Sequence, residues 1–106
     1  MKQFRALVRH LKDQHAPILP VKCVMRHKPD SQYLGSCRLS RSRNGKPLKF
    51  VIEIHDGASW SYLRLIVLHE WAHALAWSEE AHDSIRDHGP EWALAYSRLY
   101  QSSIEP

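Results

Sequence analysis

Leu63 to Trp77 reads LRLIVLHEWAHALAW, fifteen residues that are apolar nearly all round and carry His69, Glu70 and His73 about their middle. A helix that is hydrophobic on every side belongs in the interior of a fold. With 3.6 residues per turn, positions i and i+4 sit only about 40° apart and one turn along the axis. His69 and His73 therefore aim two imidazole nitrogens at one point. Glu70 projects beside them, near enough to touch a water on a metal ion rather than the ion. Burying three such side chains together is costly unless they are paired or bind metal. The plain alternative is a helix with two partly buried histidines. His88, fifteen positions after His73 and just before a helix start at Pro90, supplies a third nitrogen and favours the metal reading.

Working outward, the elements fall into place around this helix, which runs from about residue 60 to 78 with Ser59 or Ser61 as its cap. Phe4, Leu7, Val8 and Leu11 repeat at i, i+3, i+4 and i+7, which predicts an amphipathic first helix over residues 2 to 14. Pro17 and Pro20 end it. Val21 to His27 alternates as a strand, Tyr33 to Ser42 reads as a second, and Leu48 to Ile54 as a third. Asn44-Gly45 is a hairpin turn between the last two. A polar loop spans Ser78 to Gly89, where a lid is conceivable. Pro90 opens a last helix with Trp92, Ala95, Tyr96 and Leu99 on its buried stripe. The expectation is one small α+β domain over residues 1–106, with an N-terminal helix, a three-stranded antiparallel-type sheet, the helix that carries His69, Glu70 and His73, and a C-terminal helix.

The bulk properties of the 106 residues fit that expectation. Hydrophobic residues at 43% and charged residues at 25% are ordinary globular values, and no apolar run approaches a membrane span. Lys2, Arg5, Arg9 and Lys12 leave no room for a signal-peptide core. Cys23 and Cys37 are too few for a disulfide framework, so reduced thiols and a cytoplasmic location are expected, with one bridge between neighbouring strands as the alternative. The charge is divided unevenly. Residues 1–50 hold twelve Lys or Arg against Asp13 and Asp30, a balance of +10. Residues 51–106 hold Arg64, Arg86 and Arg98 against nine acids, a balance of −6, which together give the net +4. The basic half invites a polyanion.

Other ligand sets compete with His88. The metzincin pattern HExxHxxGxxH fails, because Ala76 and Glu79 stand where glycine and histidine are required. Glu79 and Glu80 read as a solvated cluster at a helix end, and His82 and Asp83 lie in the polar loop. Glu91 suits the first turn of the last helix without any ligand role. Asp87 is either a surface aspartate or a carboxylate that orients an imidazole.

The pair HEWAH…HGPEW, within residues 66 to 92, resembles the SprT-like zinc metallopeptidases, a minimal gluzincin-type branch whose signature is HExxH followed by HGxxF or HGxxW. The resemblance implies one Zn2+ held by His69, His73 and His88, with Glu70 as catalytic base. It implies a peptidase that cuts proteins, in the best-known relatives those crosslinked to DNA, with single-stranded or junction DNA as an activating partner. Many relatives carry a cysteine-rich zinc ribbon after this domain, and here the sequence stops at Pro106.

Three protein ligands leave a fourth position for water, and Glu70 would take its proton during attack on a peptide carbonyl. Tyr62, Tyr96, Arg98 and Tyr100 are candidates for the second oxyanion donor, and the residues do not decide among them. Leu48 to Ile54, which leads into the metal helix, is the expected partner of an extended substrate. Arg38, Arg41, Arg43, Lys46 and Lys49 form a basic hairpin that can follow a phosphate backbone or be merely solvated. Tyr33 and Trp60 are read as core, with base stacking as the alternative. Two further readings stand beside the peptidase. A non-catalytic zinc-containing module for nucleic acid or protein has no use for Glu70. A nuclease more often holds two metals with carboxylates.

Overall fold

Pairing in the sheet is what positions the helix that carries His69, Glu70 and His73. The computed structural model describes residues 2–28, 30–78 and 88–104. In chain order it contains α1 (Lys2–Gln14), β1 (Val21–Arg26), β2 (Gly35–Arg41), β3 (Pro47–His55), α2 (Trp60–Ala76) and α3 (Pro90–Ile104). The sheet order is β1-β3-β2. β2 and β3 form the expected hairpin, with Ser42 N–H donating to the Lys46 carbonyl at 2.9 Å and Gly45 N–H to the Ser42 carbonyl at 3.0 Å. Gly45 has φ +86°, a left-handed conformation that glycine adopts without a Cβ clash.

The sheet is mixed, which corrects the antiparallel-type expectation. β1 runs parallel to β3, with Val21 beside Phe50 and Arg26 beside His55, whereas β2 is antiparallel with Gly35 beside Ile54. Both the end of β1 and the start of β2 therefore lie at the C-terminal end of β3, and the described residues between them lie at that end. They are pinned there by the His55 and Asp56 amides, which donate to Leu34 and Arg26 carbonyls at 2.8 and 3.1 Å. The buried His55 adds Nδ1 donating to the Tyr33 carbonyl at 2.6 Å and Nε2 on Glu53 at 3.0 Å. This topology overturns a second expectation. β3, which holds Leu48 to Ile54, has a strand on each side and no edge left for a substrate; the edge strand that packs on α2 is β2.

Strand alternation gives the sheet two unlike faces. Phe50, Ile52, Ile54 and Cys37 are buried on the side that meets α2, together with Phe4, Val8 and Leu11 of α1 and Leu99 of α3. Cys23 and Cys37 flank Ile52 on opposite sides. Two interstrand spacings, about 9.6 Å, separate their backbones, which no disulfide spans. Burial pushes the Cys23 thiol up to about 12, so it stays protonated. The opposite face carries exposed Lys22, Arg26 and Arg38 and half-buried Lys49.

α2 is buried through Leu63, Val67, Leu68, Trp71, Ala72 and Ala74, as its all-round apolar sequence requires. Trp71 is fully buried, and its Nε1 donates to the His15 carbonyl at 2.9 Å, tying the end of α1 to the metal helix. Ser59 occupies the N-cap position with extended dihedrals, but its hydroxyl makes no capping bond; its carbonyl accepts from Tyr62 and Leu63 instead. Tyr33 is 63% exposed, against the core placement expected for it, whereas Trp60 is half-buried and packed on the core. Among the described residues, no helix is long and apolar enough to cross a membrane.

Candidate metal centre

α2 supplies His69, Glu70 and His73 from consecutive turns, and the segment leading into α3 brings His88 to them. The Nε2 atom of His88 lies 3.1 Å from Nε2 of His73 and 3.1 Å from Nε2 of His69. Hydrogen bonding does not explain this convergence. A neutral imidazole carries one N–H, so the His88 nitrogen cannot donate to both partners and leaves lone pairs facing one another. Three nitrogens around a tetrahedral ion at about 2.0–2.1 Å would stand about 3.3–3.4 Å apart, close to the spacing found. The three ligand atoms all lie within 4.8 Å of one another, and this is the metal-competent cluster among the described residues.

Environment grades the three histidines. His73 is buried, His69 half-buried and His88 exposed, so the site is rooted in the core and opens at His88. Burial, and secondarily the neighbouring His88, lowers the pKa of His69 and keeps the lone pair that a metal needs. Glu70 is buried at 8% exposure, and its side chain lies against the backbone of Gly35 at the start of β2. A Cβ at Gly35 would stand 2.7 Å from Ile66 Cγ2 and 3.2 Å from both Cγ and Oε2 of Glu70. The close approach of the edge strand to the carboxylate therefore depends on glycine.

Trp92 is the residue that sequence reasoning left in the packing stripe and the structure moves to the site. Its ring lies 4.9, 5.7 and 4.7 Å from the rings of His69, His73 and His88, and its Nε1 donates to the His69 carbonyl at 3.1 Å. One side chain thus packs against all three imidazoles and fastens α3 to α2. Tyr96 stacks on Trp92 at 5.3 Å and 20°, and Tyr100 on Tyr96 at 6.4 Å. The position of Trp92, four after His88, was a usable signal; Gly35 had none.

The other residues singled out by type and spacing separate from the triad. Arg38 and Lys49 lie on the helix-distal face of the sheet, joined there by Lys22 and Arg26, which the hairpin reading lacked. Arg41, Arg43 and Lys46 are exposed at the turn, where an Arg41 guanidinium N–H donates to the Gly45 carbonyl at 2.8 Å. Glu53, the acid on this face, is held below the usual carboxylate range by its bond from Lys28 and then by His55. Glu91 is exposed. Glu79, Glu80, His82, Asp83 and Asp87, and with them residues 79–87 of the loop read as a lid, lie outside the described residues.

Compared with known families, residues 2–105 match the model described as the SprT-like family. No curated protein and no solved structure matches the chain.

Proposed function

We propose that this chain, which belongs to the SprT-like family, is a zinc-dependent endopeptidase. The observation that carries the reading is the convergence of His69, His73 and His88 with the buried Glu70 beside them on the same helix. Zinc, when bound, supplies a Lewis acid that lowers the pKa of a water from about 16 towards about 7 and polarises the peptide carbonyl. Glu70 accepts that water's proton as its oxygen attacks the carbonyl carbon, and returns it to the amine as the C–N bond breaks. Gly35 and Ile66 wall the carboxylate on the sheet side, which limits its rotation and its access to bulk water.

Substrate recognition falls to β2. It is the sheet edge next to Glu70, and its backbone groups can take an extended peptide as a fourth strand. Gly35, where a Cβ would stand 3.2 Å from the Glu70 carboxylate, marks the level of the scissile bond. A cavity of about 490 Å³ lined by Tyr33, Gly35, Ser36, Arg38, Glu53 and His55 lies beside the same stretch and can receive a substrate side chain.

Action on proteins bound or crosslinked to DNA is supported by a separate observation. Lys22, Arg26, Arg38 and Lys49 share one sheet face from two outer strands and the centre, so Lys22 and Arg26 extend the cationic surface beyond the hairpin. The deciding experiment is proteolysis of a basic DNA-binding protein by zinc-loaded wild type and Glu70→Gln, with and without single-stranded DNA. Cleavage by wild type alone is expected, with DNA stimulation if the cationic face engages the strand. A Glu70→Gln variant that cuts as well as wild type refutes the base assignment. Absence of cleavage by folded, zinc-loaded wild type returns the chain to the non-catalytic module.

A further inference from the structure

Peptide hydrolysis places negative charge on the carbonyl oxygen, and a donor aimed at it accelerates the reaction beyond what proton transfer provides. Four side chains were open for that task on sequence grounds. Three are placed elsewhere. Tyr62 is 51% exposed and lies eight residues before Glu70 on α2, about 12 Å along the axis. Arg98 lines a groove with His15, Leu75, Trp77 and Glu91, on another flank of α3. Tyr100 stands one turn beyond Tyr96, 40% exposed, at the outer end of the aromatic column.

Tyr96 differs from all three. It is half-buried, and its ring lies 6.4 Å from the His69 ring at 73°. It stacks on the Trp92 ring, which is itself held by the bond to the His69 carbonyl. Its position is therefore fixed relative to the ligand set by two packed aromatic contacts and one hydrogen bond. Among the described residues its hydroxyl makes no hydrogen bond, so none of them engages the donor. A phenol held beside the triad with its O–H unspent is preorganised in the sense that electrostatic catalysis requires.

Resting on the endopeptidase reading, we infer that Tyr96 is the second oxyanion donor of this site. As the water oxygen bonds to the carbonyl carbon, the C=O pair moves onto the carbonyl oxygen. Tyr96 donates a hydrogen bond to that oxygen and keeps its proton. Glu70 carries the water's proton to the departing nitrogen, so the bond from Tyr96 exists only while the adduct does. Its contribution should appear in kcat and not in substrate binding.

The test compares wild type, Tyr96→Phe and Tyr62→Phe for zinc content, kcat and KM on a peptide. It adds affinity for a phosphinic peptide, which mimics the tetrahedral adduct, beside that for a product peptide. Phenylalanine keeps the stack on Trp92, so Tyr96→Phe should fold and hold one zinc per chain. The expected result is kcat lowered about 10²–10³-fold with KM within about twofold, phosphinic-peptide affinity weakened at least about 30-fold, and product affinity unchanged. Tyr62→Phe should match wild type throughout. Wild-type kcat in Tyr96→Phe, or equal loss of phosphinic and product affinity, overturns the assignment while leaving the endopeptidase intact. A wild type that cleaves no peptide removes the reading on which it rests.

Discussion

Replacing Gly35 by alanine tests whether the edge strand positions Glu70, the proposed general base. Gly35 is not among the described residues with positive φ, so the substitution adds no backbone strain and its effect is steric. The new Cβ would stand 2.7 Å from Ile66 Cγ2, about 1 Å inside the usual carbon–carbon contact of about 3.5–4.0 Å. It would also press on Glu70 Cγ and Oε2, each 3.2 Å away. Overpacking of this kind costs about 1–3 kcal/mol. Ile66 is half-buried and can yield part of the overlap, but Glu70 is buried and must yield the rest. A catalytic group misplaced by about 1 Å loses about 10²-fold, equivalent to about 2.7 kcal/mol of barrier. Gly35→Ala should therefore lower kcat about 10- to 100-fold and Tm by several degrees while zinc stoichiometry stays at one, because the atoms nearest the new methyl belong to Ile66 and Glu70 and not to the histidines. The assay is peptide hydrolysis beside zinc titration and thermal unfolding. Wild-type turnover in a folded Gly35→Ala protein, or a loss of turnover that simply follows a loss of zinc, would refute the reasoning.

His88→Ala should retain the fold, since His88 is exposed, and should weaken zinc more than about 100-fold, beyond the range for partners that merely orient a ligand; competition against a chromophoric chelator reads the change. His10 and His15 of the α1 end share one hydroxyl, Ser102 Oγ, at 3.2 and 3.1 Å. Burial first, and the charge of His10 second, lowers the pKa of His15 below its ordinary value of 6.5. The unfolded chain then binds protons more readily, so this contribution is present above about pH 6.5 and is lost as pH falls through the lowered folded value. Tm followed from pH 7 to 5 should fall less steeply in His15→Gln, and superimposed curves would exclude the contribution. Affinity for single-stranded DNA should fall linearly in log–log form with salt, and Lys22→Ala and Arg38→Ala should each reduce the slope by about one; a salt-independent affinity would detach the cationic face from phosphate binding.

What the sequence made legible was local. α2 follows from its all-round apolar run and the convergence of its two histidines from the 3.6-residue turn, α1 from its i, i+3, i+4 pattern, and the β2–β3 hairpin from Asn44-Gly45. The parallel partnership of β1 with β3 was not legible, because no local signal tells a strand which neighbour it will take. That single omission hid two features. Lys22 and Arg26 were left out of the basic surface, and β3 was given an edge it does not have. Gly35 was silent for a related reason: its importance lies in what Ile66 and Glu70 occupy, thirty-odd residues away. Trp92 was assigned correctly to an apolar stripe, but the stripe turns out to face imidazoles as well as core.

The distribution of burial across the triad ties metal binding to helix docking. His69 and His73 are carried by a helix locked into the core through Trp71, whereas His88 is exposed and reaches the site from the start of α3. The third ligand arrives only when α3 is seated, and the seat is Trp92, with its ring on all three histidines and its Nε1 on the His69 carbonyl. A ligand that binds the assembled site and not the separated parts stabilises the assembly by its own binding free energy. On the zinc-peptidase reading, zinc affinity and α3 docking would be one equilibrium viewed from two ends. Changes at Trp92 should act on both, and changes at Tyr96, one turn further out, chiefly on chemistry. The α2–α3 seam thus separates a layer that builds the site from a layer that uses it.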